Sequence, residues 1–114
     1  MGIMITIVLE NDEQFTSLMQ NYPYLFIQLS APWCGPCNRV SPLVQELIAT
    51  IDNEQCVYVY CDIDKCPNTK SGLSAKTIPC FTIYTRETNH FTELMQSSDI
   101  KNVEGFLRYY HIIH

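Results

Sequence analysis

Two cysteines three positions apart, Cys34 and Cys37, enclose a Gly-Pro pair and follow a tryptophan, giving Trp33-Cys34-Gly35-Pro36-Cys37. Thiols at this spacing either exchange a disulfide with another molecule or share a metal ion. Their setting favours redox chemistry. Upstream, Tyr24 to Ser30 is an almost continuous apolar run, the pattern of a strand buried on both faces. Downstream, Val40, Leu43, Val44, Leu47, Ile48 and Ile51 recur at three- and four-residue steps and so share one helix face. Cys34 therefore falls at the first turn of a helix, where unpaired N–H groups and the positive dipole end favour a thiolate. The thiolate is the attacking species, which selects Cys34 as nucleophile and Cys37, one turn in, as the resolving thiol. Pro36 has no N–H, which a helix tolerates in its first turn. A single Cys-x-x-Cys rarely closes a metal site, and His111 and His114 bring no third ligand, so no metal is expected.

The elements that must hold this pair are legible along the chain. Ile3 to Leu9 reads as a first strand. Asp12 is placed to cap a helix whose Phe15, Leu18, Met19 and Tyr22 share a face. Pro42 lies inside the periodic stretch after the cysteines, which predicts a kinked helix. Cys56 to Asp62 reads as a third strand, and Pro67 to Ala75 as a short helix or an irregular connector. Phe81 to Thr85 and Phe91 to Met95 read as two strands joined by a polar turn, Arg86 to Asn89. Ser98 or Asp99 starts a last helix with Ile100, Val103, Phe106, Leu107 and Tyr110 inward. The order βαβαββα, with one extra short helix, predicts an α/β fold: a central mixed sheet with helices on both faces.

With 114 residues the chain is expected to form one domain, 1–114, large enough for a real core. A net charge of −5 without a basic run argues against a nucleic-acid surface. No stretch approaches the roughly 18 apolar residues of a membrane span. The apolar start has no basic residue before it and no small-residue cleavage site, so it reads as a strand and not a signal peptide. Six cysteines without an export signal predict a reducing compartment, the cytoplasm, with most thiols free.

Trp33-Cys34-Gly35-Pro36-Cys37, with Pro42 five residues beyond the second cysteine, resembles the active site of the thioredoxins. Thr77-Ile78-Pro79 resembles the family's Ile-Pro pair, whose cis proline faces that site, and Asp62-Ile63-Asp64 resembles the close of its third strand. The resemblance implies the thioredoxin fold and reduction of protein disulfides by a monomer with no bound cofactor. Electrons would come from a thioredoxin reductase drawing on NADPH. It also implies that Trp33, Gly35, Pro36, Ile78 and Pro79 frame the substrate groove, with Pro79 holding the substrate backbone and keeping metals from the thiols.

Three departures qualify it. Where most thioredoxins bury an Asp, six residues before the first cysteine, this chain has Gln28, which hydrogen-bonds but does not titrate. Either Cys37 is activated less readily and mixed disulfides resolve more slowly, or Gln28 fills a polar niche while water carries the proton. Tyr60 stands where many thioredoxins have a Lys paired with that acid, either as the matching loss of a partner or as added aromatic packing. The final hairpin lacks the family's glycines. Asn89 must then supply the positive φ of the turn, and Met95-Gln96 brings side chains to the groove, which puts recognition by a standard reductase in doubt.

Cys80 follows Pro79 directly and is either a third redox thiol or site of capping by glutathione, or a small buried hydrophobe. Cys56 and Cys61 have opposite strand parity and face opposite sides. Cys66, in a polar segment, is expected to be exposed, either as a regulatory or dimer-forming thiol or as an incidental surface cysteine. The sequence thus supports a protein-disulfide reductant. The alternatives are a thioredoxin-fold binding module or complex subunit, or a reductant dedicated to one partner.

Overall fold

The computed structural model describes residues 2–114. Its frame is a mixed six-stranded sheet built from β1 (Ile5–Val8), β2 (Tyr24–Ser30), β3 (Cys56–Asp62), β4 (Cys80–Thr85), β5 (His90–Phe91) and β6 (Met95–Gln96). The strand order is β1-β3-β2-β4-β5, with β6 also paired to β4. β3 runs parallel to both β1 and β2, while β4 runs antiparallel to β2, β5 and β6. Four helices cover the faces: α1 (Asp12–Asn21), α2 (Gly35–Ile48), α3 (Pro67–Gly72) and α4 (Ile100–Tyr109). None is long and apolar enough to cross a membrane.

Strand parity divides the core in two. Phe26, Tyr58, Phe81 and Ile83 pack with Val40, Val44 and Ile48 of α2 and Val103 and Leu107 of α4. Leu25, Ile27, Leu29, Val57 and Val59 pack on the other face with Phe15 and Leu18 of α1. The continuous apolar run of β2 follows from this double burial. Phe26 stacks between Tyr58 and Phe81, at ring-centroid distances of 5.4 and 5.7 Å. Burying one such ring contributes about 2–3 kcal/mol.

Several expectations need correction. The α1 cap is Asn11, not Asp12: Asn11 Oδ1 accepts from Gln14 N at 2.9 Å. Asp12 is the first helical residue, and its carboxylate reaches across to α3. Leu43 is 41% exposed, because the inward stripe of α2 is the narrower set Cys37, Val40, Val44, Ile48. Tyr110 lies past the end of α4 and is 38% exposed. Two other expectations hold: α2 runs through Pro42 without restarting after it, and the stretch from Pro67 is a short helix, Pro67–Gly72.

The expected strand Phe91–Met95 is broken into β5 and β6. Phe91 pairs with Tyr84 and Met95 with Phe81, so Thr92, Glu93 and Leu94 oppose only Thr82 and Ile83. This is a bulge, and Thr92 fills it. Its N–H donates to Ile83 O at 3.0 Å, its hydroxyl accepts from Ile83 N at 3.0 Å, and its carbonyl accepts from Thr82 Oγ1 at 2.8 Å. The preceding turn is closed as expected by Asn89 at φ 51°, whose Oδ1 accepts from Tyr84 Oη at 2.8 Å.

Candidate active site

β2 ends at Ser30, and the chain reaches α2 through a four-residue elbow. Cys34 N donates to Ala31 O at 3.1 Å and Asn38 Nδ2 to Pro32 O at 2.9 Å, which pins the elbow at both ends. Cys34 is the N-cap of α2, just ahead of the first turn in which the sequence placed it. Pro36 occupies the opening turn, where its missing N–H leaves no bond unmade. Gly35 carries no steric demand, because an added Cβ there would meet only the Arg39 guanidinium at 3.5 Å.

Cys34 and Cys37 are joined in a disulfide, with Cα atoms 5.2 Å apart. Cys37 N donates to Cys34 Sγ at 3.2 Å. On reduction that N–H and the helix dipole remain aimed at the Cys34 sulfur, and both favour its thiolate. Cys34 retains 6% exposure and Cys37 none, so an incoming molecule reaches Cys34 alone. The pair packs against Ala31, Ile63 and Ile78. Ile78 O lies 3.9 Å from Cys34 Sγ, and the Ile78–Pro79 peptide is cis. Trp33 is 67% exposed, held by its Nε1 donating to Asp64 Oδ2 at 2.7 Å. Asp64 is itself placed by its N–H on Asp62 Oδ1 at 2.9 Å.

Gln28 is fully buried and fully satisfied. Its Nε2 donates to Ser30 Oγ at 2.7 Å and to Ser41 Oγ at 2.8 Å, and its Oε1 accepts from Tyr58 Oη. Burial pushes the Tyr58 phenol well up, so it stays protonated and can only donate to the amide oxygen. That fixes which way the amide points. Tyr60 pairs with Gln28 across the β2–β3 ladder, yet Tyr58 makes the bond. Burial, and then the neighbouring Asp62 charge, raise the Tyr60 phenol too.

Sequence reasoning missed Ser30, Ser41 and Tyr58. Ser41 had a signal: it lies four residues after Cys37, a polar residue within an apolar stripe. Tyr58 had none, since it sits in a strand of mixed aromatic and aliphatic residues.

The other cysteines separate by face. Cys56 lies on the α2–α4 side and Cys61 on the α1–α3 side, as their parity predicts. Cys80 is buried with the α1–α3 set, apart from the cluster of Cys34 and Cys37, and burial pushes its thiol up to about 11. That location favours the small buried hydrophobe over a third redox thiol. Cys66 corrects an expectation: it has no exposure and its thiol is free. Among the described residues, no three His, Cys, Asp or Glu side chains gather as a metal site.

Comparison with known proteins adds an independent line. The family model Thioredoxin matches residues 6–107. Thioredoxin-like protein 1 of Schizosaccharomyces pombe is 28% identical over 81 residues, 71% of this chain but only 28% of that protein. Thioredoxin of Ictalurus punctatus is 27% identical over 78 residues, 67% of this chain and 73% of the relative. Among solved structures, Schistosoma mansoni thioredoxin superposes with a TM-score of 0.82 at 24% identity, covering 92% of this chain and 94% of that one. Plasmodium falciparum thioredoxin gives 0.81 at 18% identity, covering 90% and 97%. At these identities the superpositions speak for the fold.

Proposed function

The chain belongs to the thioredoxin family, and from that premise we propose that it is a thiol–disulfide oxidoreductase working as a reductant of protein disulfides. One observation carries this: a bonded cysteine pair at the N-terminus of α2 in which only the first cysteine retains any exposure. The Cys34 thiolate attacks one sulfur of a substrate disulfide, and the other substrate sulfur leaves as a thiolate. The Cys37 thiolate then attacks Cys34 Sγ and expels the second substrate sulfur. The product is the Cys34–Cys37 disulfide described above. The Cys37 N–H stabilises negative charge on Cys34 before the attack.

In this reading Trp33, Gly35, Pro36, Ile78 and Pro79 frame the substrate groove, which the exposure of Trp33 and the approach of Ile78 O to Cys34 Sγ at 3.9 Å support. Gln28 and its partners cannot accept the Cys37 proton, so it passes to solvent or to the departing thiolate, and resolution is the slower step. No prosthetic group takes part. By family analogy, electrons arrive from a thioredoxin-reductase-like donor that draws on NADPH. The protein works as a monomer in a reducing compartment, the cytoplasm, a reading supported by the four free thiols.

The test is dithiothreitol-driven reduction of insulin by the unmodified chain and its Cys34→Ser variant. Activity in the first and background rate in the second is the expected result. Background rate in both would overturn the reductant reading.

A further inference from the structure

β1 is one outer edge of the sheet, and its pairing with β3 fixes where its backbone points. Leu9 N donates to Tyr60 O at 3.0 Å, so Ile5, Ile7 and Leu9 turn their N–H and C=O groups toward β3. Thr6 and Val8, the alternate residues, turn theirs outward, and no hydrogen bond meets those groups among the described residues. Ile3, Ile5 and Val8 are 71%, 45% and 52% exposed. From Gly2 to Leu9 the chain carries none of the features that guard a free edge: no charge, no proline and no bulge.

We propose that this edge is a self-association surface, on which a second copy of the chain lays its own β1 antiparallel about a two-fold axis through Ile7. In that register Thr6 faces Val8 of the second copy, and Val8 faces its Thr6. Each pair exchanges N–H···O bonds in both directions, so every outward group of the strand gains a partner. Ile7, whose own groups face β3, meets Ile7 of the second copy, and Ile5 meets its Leu9, on the α1–α3 side.

The strand itself names this occupant, because its two outward residues are two apart and each supplies what the other needs. Charge agrees. The chain carries −5 overall, so two copies repel over most of their surface, and the neutral edge is where they can meet. Glu10, the first charge beyond it, falls opposite Met4 of the second copy and not opposite another Glu10. The far rim of the sheet is interrupted between Phe91 and Met95 and cannot receive β1 head to tail, so association closes at two copies instead of running on as a filament. No thiol is needed to join the copies, since Cys56, Cys61, Cys66 and Cys80 are all buried.

A contact between two four-residue strands falls short of the roughly 1,200–2,000 Å² of a lasting interface, so the dimer is reversible. β3 stands between this edge and β2, which leads into Cys34, so each copy keeps its own active site. The monomer remains sufficient for the chemistry, and the proposal does not rest on the reductant reading above.

The test is sedimentation velocity of the full chain under dithiothreitol, from micromolar to millimolar concentration, with backbone amide exchange followed at both extremes. The expected mass rises toward twice the monomer value and stops there, while exchange at Thr6 and Val8 slows several-fold. Ile5 and Ile7, already bonded to β3, should change little. Val8→Lys puts a charge on the edge and should restore the monomer mass at the highest concentration, with slow exchange at Ile5 and Ile7 showing that β1 is still in place. A monomer mass throughout would overturn the proposal. So would a dimer that leaves Thr6 and Val8 exchanging freely, a mass that climbs past two copies, or a dimer that Val8→Lys leaves intact. Should Val8→Lys loosen β1, exchange at Thr6 and Val8 in the unmodified chain decides alone. Insulin reduction plays no part, so failure here and failure of the reductant reading are told apart.

Discussion

Replacing Tyr58 with Phe removes one oxygen atom and isolates the bond on which the Gln28 cluster turns. The ring stays stacked on Phe26, so its packing survives. What is lost is the donor to Gln28 Oε1, and no other hydrogen bond reaches that oxygen. Gln28 is fully buried, so water cannot take the place of the phenol. Leaving a buried acceptor without a partner costs about 1–3 kcal/mol. In a domain of this size that lowers Tm by roughly 4–12 °C. Urea denaturation of the oxidised protein at neutral pH reads the cost directly. A second variant makes the test specific. In a Gln28→Met background Tyr58 has lost its acceptor, so removing its hydroxyl should be neutral or stabilising, giving a coupling of about 1–3 kcal/mol between the positions. A cost below about 0.5 kcal/mol, or the same cost in both backgrounds, would refute the assignment of Tyr58 as the essential partner of Gln28.

Gln28→Asp supplies a group able to take the Cys37 proton, and should raise the rate of insulin reduction several-fold near neutral pH. An unchanged rate would sink the idea that resolution is limited there. Burial should hold that variant's new carboxyl above its unfolded value, so its stability should fall as pH rises through the folded pKa, a loss the unmodified chain should lack. Asp64→Ala frees the Trp33 indole. A loss of roughly 1 kcal/mol of positioning predicts about a five-fold fall in kcat/KM, with altered Trp33 emission; unchanged values of both would refute the role of that bond. At Asp12, burial raises the carboxyl, but the bonds from Thr69 and Asn68 outweigh it and leave the group below its usual range. Its contribution is therefore present above the unfolded carboxylate pKa and lost as pH falls through the lower folded value. Amide exchange in α3 should accelerate over that acid window, and a flat profile would count against the tie.

The parts of the fold written in local pattern were legible. β2 and β3 lie within the residues their composition marks, and Asn89 takes the positive φ that a glycine-free turn requires. The α1 cap was also written there, but misread. Asn11-x-x-Gln14 has the capping-box spacing and Asp12-x-x-Phe15 does not. The active-site pair was plain because its chemistry depends on two residues three apart. Cys66 was not. Its neighbours are polar, and it is buried among residues distant in sequence, Phe15 and Leu18 of α1 among them, which no local window reports. The Gln28 cluster was half legible: the non-titrating residue was evident, but its strongest partner comes from another strand.

The extra residue between β5 and β6 bears on how this protein stays apart from its neighbours. The β5–β6 segment forms one rim of the sheet. Without the bulge, residues 90–96 would run there as one continuous strand, offering a row of free backbone N–H and C=O groups to any other exposed strand. The three-against-two mismatch breaks that row into two-residue pieces, and Thr92 turns its hydroxyl back onto Ile83. Deleting Glu93 would zip the segment into a regular ladder with Met95 still opposite Phe81. Such a chain would keep its active site and gain a sticky edge, so the bulge guards against aggregation as well as shaping the sheet.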